Sequence, residues 1–142
     1  LETYGVRSEI YSATSYGELR REGMECDRWN RLHPTKTAKQ PWVEQMLGNA
    51  EVPVIAVSDN MAAVPDMIRQ WVTGHYTVLG TDGFGRSDTR EALRRFFEID
   101  GAAVALAALS SLVRDGSIEA SIYEKAEKEF GISSERKDIT AL

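Results

Sequence analysis

The chain holds a single cysteine, Cys26, two histidines, His33 and His75, and four prolines in 142 residues. A lone cysteine closes no intramolecular disulfide and brings no second thiolate to a metal. A reducing, cytoplasmic compartment is the simplest reading of that scarcity. Two histidines leave little general-base capacity for nucleophilic catalysis. His33 precedes a helix-breaking proline and His75 lies in a Gly-His-Tyr turn, so both read as loop residues without a catalytic motif. No apolar run approaches the ~20 residues of a membrane crossing, and the N-terminus lacks the basic start and apolar core of a signal peptide. A membrane is therefore not an expected partner. Nor is there a basic block: 17 basic and 22 acidic side chains are intermixed, for a net charge of -5. Neutralising nucleic-acid phosphates takes a clustered positive face, so nucleic acid is not expected either.

What is present suits one packed domain over residues 1–142, with 42% hydrophobic and 27% charged residues. Leu1-Glu2-Thr3-Tyr4-Gly5 reads as the last turn of a helix closed by glycine. The chain is thus expected to begin inside an element, as an N-terminally truncated segment of a longer polypeptide. Three β-rich segments, Val6 to Ala13, Pro53 to Ser58 and Tyr76 to Gly80, each precede a helical pattern. Ser15-Tyr16-Gly17-Glu18 is a capping box opening a helix that ends by Leu32. Pro41 starts a second helix, with Trp42, Met46 and Leu47, that Gly48 stops. Val64, Met67, Ile68, Trp71 and Val72 follow the amphipathic spacing of one helix.

Further along, Leu93, Phe96 and Phe97 mark the inner face of a helix capped by Asp88. The stretch from Ala102 to Val113 is apolar on all sides, which a helix tolerates only when it is covered. A last helix runs from about Glu119 to Phe130, ends at Gly131 and leaves a loosely held polar tail. Strands alternating with helices predict an α/β fold, a three-layer domain with a small, mostly parallel sheet. A sheet so small for this many helices suggests an element missing before Leu1 or supplied by a neighbouring domain.

The run from Val78 to Glu91 is the most informative in the chain. An apolar stretch stops at Gly80, and Gly83 and Gly85 follow closely before Asp88 and Glu91 open a helix. Loops at the carboxyl ends of strands are where open α/β sheets meet ligands and partner domains. Phosphate binding fits poorly, because Asp82 and Asp88 flank the loop cation Arg86 and the glycine spacing is neither a dinucleotide nor a P-loop pattern. A cation site from Thr81, Asp82 and Asp88 has few ligands. The structural reading is preferred: Asp88 caps, the glycines turn the chain, and Phe84 at the tip anchors an interface. Asp82, Phe84, Arg86 and Asp88 form this candidate interface loop. Trp29, Trp42 and Trp71 are expected in the core or at a domain interface.

Three longer stretches resemble a known family. They are Tyr11-Ser12-Ala13-Thr14-Ser15-Tyr16-Gly17-Glu18-Leu19, Cys26-Asp27-Arg28-Trp29-Asn30-Arg31-Leu32-His33-Pro34, and Val78 to Arg90 with Phe97-Glu98-Ile99-Asp100. Together they are similar to the C-terminal domain of the bacterial homodimeric pyruvate dehydrogenase first, thiamine-dependent component, in the transketolase superfamily. The similarity runs from about Gly5 to Ile132.

The resemblance implies a transketolase C-terminal-domain-like fold that lacks its first strand here. It implies a dimeric enzyme whose thiamine diphosphate and magnesium are bound by other domains. That enzyme decarboxylates pyruvate and reductively acetylates the lipoyl group of dihydrolipoyl acetyltransferase. No catalytic, cofactor-binding or metal residue carries over, because the thiamine-binding Gly-Asp-Gly element with its following Asn does not occur. Asp82-Gly83 is not that element. The implied role of this segment is architectural: to support the active-site domains and help form the dimer. A regulatory ligand-binding or partner-docking module of a related 2-oxo acid dehydrogenase or transketolase is the alternative.

Overall fold

A computed structural model of the chain describes residues 1–48, 52–132 and 135. The polar tail after Ile132 lies almost wholly outside the described residues. A 3-10 turn, Glu2–Tyr4, is closed by Gly5 in the left-handed region at φ 74°, as the glycine signal requires. Helix α1 spans Tyr16–Leu32, and the Ser15 hydroxyl accepts from the Glu18 amide at 3.2 Å. Helix α2 spans Trp42–Leu47 and ends at Gly48. Strand β1 (Val54–Val57) pairs in parallel with β2 (Tyr76–Leu79), Val54 opposite Tyr76 and Val57 opposite Leu79.

Short helix α3 (Ala63–Asp66) lies between the strands. After β2 come α4 (Arg90–Phe96), α5 (Gly101–Arg114) and α6 (Ala120–Phe130). The mixed α/β architecture with a small parallel sheet is the expected one. Two apolar clusters hold it together. Val43, Ala56, Ile68, Trp71 and Tyr76 form the first, with Tyr16 and Leu19 of α1 packed on it. Leu106, Leu109 and Ala126 form the second, between α5 and α6, and Leu1, Tyr4 and Val6 lean against it.

Three expectations are corrected. Residues 6–13 form no ladder and stay exposed from residue 7 onward, with Ile10 94% exposed. β-propensity describes fit to a pleated neighbour, and among the described residues the sheet has only β1 and β2. The single amphipathic helix expected over Val64 to Val72 is instead α3 followed by a 3-10 turn, Arg69–Trp71.

Tertiary contacts account for that tighter winding. The Trp71 indole N–H donates to Asp27 at 3.1 Å, and its ring lies against Gly23 of α1. Arg69 binds both Asp66 and the Tyr76 carbonyl. Holding Trp71 and Arg69 in these places suits three residues per turn better than 3.6. The third correction concerns α4, whose cap is Thr89: its hydroxyl accepts from the Ala92 amide at 3.3 Å. Asp88 accepts instead from the Thr89 amide at 2.7 Å.

The covered apolar helix is α5, where residues 102–113 are all buried or half-buried. Arg90–Arg114 taken as one stretch carries an 18-residue window of mean hydropathy 1.7, enough by length and composition to cross a membrane. The chain breaks that stretch between α4 and α5. Ile99 and Glu98 donate back to the Arg94 and Arg95 carbonyls, with Glu98 at φ 55°, and Asp100 caps α5. The 14 residues of α5 span about 21 Å, short of a bilayer core of about 30 Å.

Candidate functional site

The loop after β2 is fastened at both ends to the rest of the fold. At its root the Thr81 amide donates to the Asn60 carbonyl at 3.0 Å and the Thr81 hydroxyl to the Asp59 carbonyl at 2.9 Å. The next residue, Asp82, accepts from the Ala62 amide at 3.0 Å. That amide belongs to the turn after β1, so Asp82 ties together the carboxyl ends of both strands. Gly80 is required by proximity: a Cβ there would lie 2.4 Å from the Ala62 nitrogen. Gly83 turns the chain at φ 94°. Beyond it the Arg86 guanidinium sits over the Phe96 ring, 4.2 Å from its centroid, which pins the second end of the loop to α4.

Between these anchors Phe84 projects, 90% exposed. Of the four candidate loop residues, then, Phe84 alone faces outward as an apolar group. Asp82 is an internal latch, Arg86 a brace on Phe96, and Asp88 a hydrogen-bond acceptor at the entry to α4. The latch and the brace were not legible in the sequence, since both depend on partners at least ten residues away.

The same contacts decide what the loop can bind. Thr81, Asp82 and Asp88 each spend an oxygen on the backbone, and among the described residues no three of His, Cys, Asp and Glu gather around a common metal position. With Asp82 latched, Arg86 stacked and a phenylalanine at the tip, these residues do not fit thiamine diphosphate with magnesium.

Both histidines have local partners. His33 stacks on Trp29 with centroids 4.4 Å apart, and its Nδ1 lies 2.8 Å from the Trp29 carbonyl. His75 sits just before β2, and its carbonyl accepts from the Val54 amide at 2.8 Å. Trp71 is buried in the first cluster, whereas Trp42 is 52% exposed and Trp29 meets both the His33 ring and the Lys39 ammonium, the latter 4.9 Å from its ring centroid. Asn30 grips the Lys39 backbone through both amide atoms, at 2.7 and 2.9 Å, folding residues 33–39 back on α1.

Cys26 is buried, and its thiol donates to Glu22 at 3.2 Å. Burial first, then the bond to Glu22 and its charge, push the thiol up to about 11. About one molecule in a thousand is then ionised at pH 8. Alkylation of the folded chain by iodoacetamide at pH 8 should run on the order of a hundredfold slower than in urea. Equal rates would show that Cys26 is accessible and ionisable.

A family model described as the transketolase-like TK C-terminal domain matches residues 1–100. The chain belongs to the transketolase C-terminal domain family. Relatives of this domain are named "Pyruvate dehydrogenase E1 component". The one from Pseudomonas aeruginosa is 47% identical over 136 residues, covering 95% of this chain and 15% of the relative. That from Mycolicibacterium smegmatis is 48% identical over 129 residues, 91% of this chain and 14% of the relative. The Escherichia coli protein is 43% identical over 134 residues, 94% of this chain and 15% of the relative. The chain thus spans about one-seventh of the length of these relatives.

Proposed function

We propose that this transketolase C-terminal domain is the structural lobe of a thiamine-dependent pyruvate dehydrogenase first component. In that enzyme it braces the catalytic domains and helps form the homodimer. Thiamine diphosphate and magnesium are held by the other domains, pyruvate is decarboxylated there, and the acetyl unit passes to the lipoyl group of dihydrolipoyl acetyltransferase. The enzyme works in the cytoplasm. One observation carries the reading: similarity to proteins of that name covers nearly the whole chain, while Asp82, Arg86 and Asp88 of its strand-end loop each make an internal contact. A catalytic lobe needs a nucleophile or base with a free face toward substrate. Asp82, Arg86 and Asp88 instead serve to shape the loop.

The test compares the full-length enzyme with the 142-residue segment. With thiamine diphosphate and magnesium, the full-length protein should turn over pyruvate and acetylate lipoyl domains. The segment should do neither, and should give no heat of binding with micromolar thiamine diphosphate. Turnover or tight cofactor binding by the segment would overturn the architectural role. A full-length enzyme that prefers another 2-oxo acid would overturn the substrate.

A further inference from the structure

Between Asp27 and Glu44 the chain carries no carboxylate side chain, yet it carries Arg28, Arg31, Lys36 and Lys39. Cations and carboxylates are intermixed over the chain as a whole, whose net charge is -5, so the excess is local. It covers the end of α1, the loop after it and the start of α2. All four cations are exposed, and Arg28, Arg31 and Lys36 make no ion pair among the described residues. Two carboxylates just before the stretch are occupied within the fold. Glu22 accepts from the Cys26 thiol and the Trp42 amide, and Asp27 from the Gln70 amide group and the Trp71 indole.

Hydrogen bonds fix the loop that bears the two lysines. Asn30 holds both backbone groups of Lys39, the Lys36 amide donates to the His33 carbonyl at 3.0 Å, and the Gln45 side chain donates to the Gln40 carbonyl at 2.7 Å. The Trp29 ring meets both the His33 ring and the Lys39 ammonium. A backbone fastened in this way has less freedom left to lose when a partner docks.

The layout of the charges selects the partner. A lone phosphate is best held by donors that converge on it. Here the cations stand three, five and three residues apart along a helix end and an open loop, and Leu32, next to Arg31, is 55% exposed. A phosphate would leave Leu32 in water, whereas a polypeptide with repeated carboxylates and apolar side chains meets both features. Permanent interfaces are mainly apolar; a surface this charged suits a transient partner steered to it by its opposite charge. We infer that Arg28, Arg31, Leu32, Lys36 and Lys39 form a docking surface for an acidic, partly apolar polypeptide segment of a separate protein. Such docking is distinct from the architectural role and does not depend on it.

The test uses the full-length enzyme and a fluorescent glutamate–leucine peptide as the probe. At about 20 mM salt the peptide should bind, and a lysine–leucine peptide of the same length should not. Arg28→Gln, Arg31→Gln and Lys36→Gln combined should weaken binding at least about tenfold. Arg7→Gln, Arg20→Gln and Arg114→Gln combined remove the same charge from exposed sites elsewhere. That control should change binding less than about twofold. In the unaltered enzyme, acylation of Lys36 by an N-hydroxysuccinimide ester should slow about tenfold when the peptide is present at about ten times its Kd. Lys125 and Lys128, exposed on α6, should react at an unchanged rate.

No binding at low salt, or equal loss in the two triple variants, would overturn the surface. So would slow acylation of Lys36 before any peptide is added, since the surface would already be covered. Inorganic tripolyphosphate that binds more tightly than the peptide, and loses affinity in the same variant, would overturn the occupant. An enzyme that docks the peptide but does not use pyruvate would overturn the functional reading and leave the surface standing.

Discussion

Gly80→Ala should destabilise the domain by about 3 kcal/mol or more, the range of severe overpacking. An added Cβ would lie 2.4 Å from the Ala62 nitrogen, 2.6 Å from its Cα and 2.9 Å from the Asn60 carbonyl oxygen. All three are backbone atoms, so no side-chain rotation relieves the clash. The turn cannot simply retreat, because Thr81 and Asp82 bind it through the Asn60 carbonyl and the Ala62 amide. Moving it breaks those bonds and tilts β1 against β2.

Gly85→Ala provides the contrast. Nothing lies within 4 Å of a Cβ there and the residue does not need a positive φ. That change should be neutral or stabilise by about 0.5 kcal/mol through a less flexible unfolded chain. Urea midpoints of the two variants read the difference directly. If both glycines tolerate alanine equally, the close approach of the two strand ends is wrong.

How far the sequence carries this structure depends on the range of each signal. Local, chemically specific signals translated directly. Ser15 with Glu18 placed the start of α1, Gly131 the end of α6 and Gly5 the end of the first turn. Signals that compete with tertiary contacts did not. The spacing of Val64, Ile68 and Trp71 is helical, but Trp71 is drawn to Gly23 and Asp27 and the helix tightens and ends early.

The end of α4 was hidden for another reason. The left-handed residue that closes it is Glu98, where glycine is the usual occupant. Residues 6–13 have strand composition without a strand neighbour, and pairing is not a property of one segment. At the loop, the glycines and the outward Phe84 were legible. The roles of Asp82 and Arg86 were not, because Ala62 and Phe96 are brought to them only by the fold.

The second large effect is Leu109→Ala, which should cost about 3–5 kcal/mol. Leu109 is 0% exposed and packs with Leu106 and Ala126 where α5 crosses α6. Alanine is at least as good a helix former as leucine, so the loss is one of packing and cavity rather than of helix propensity. The cavity should collapse poorly. Its walls include α5 and α6 themselves, and Ala126, also at 0% exposure, is too short to fill the space.

The damage should also reach the N-terminus. Leu1, Tyr4 and Val6 rest on this cluster, Tyr4 meets the Phe130 ring edge-on at 6.0 Å, and its hydroxyl donates to Glu129. Exchange of the amides of residues 4–6 should therefore rise together with global instability. A cost below about 1.5 kcal/mol, the level of a tolerated volume-conserving swap, would mean that α5 and α6 do not form a core of their own. The lobe would then depend on the rest of the enzyme even for its interior. At the expected cost, the packing of α5 on α6 is a core formed within this chain.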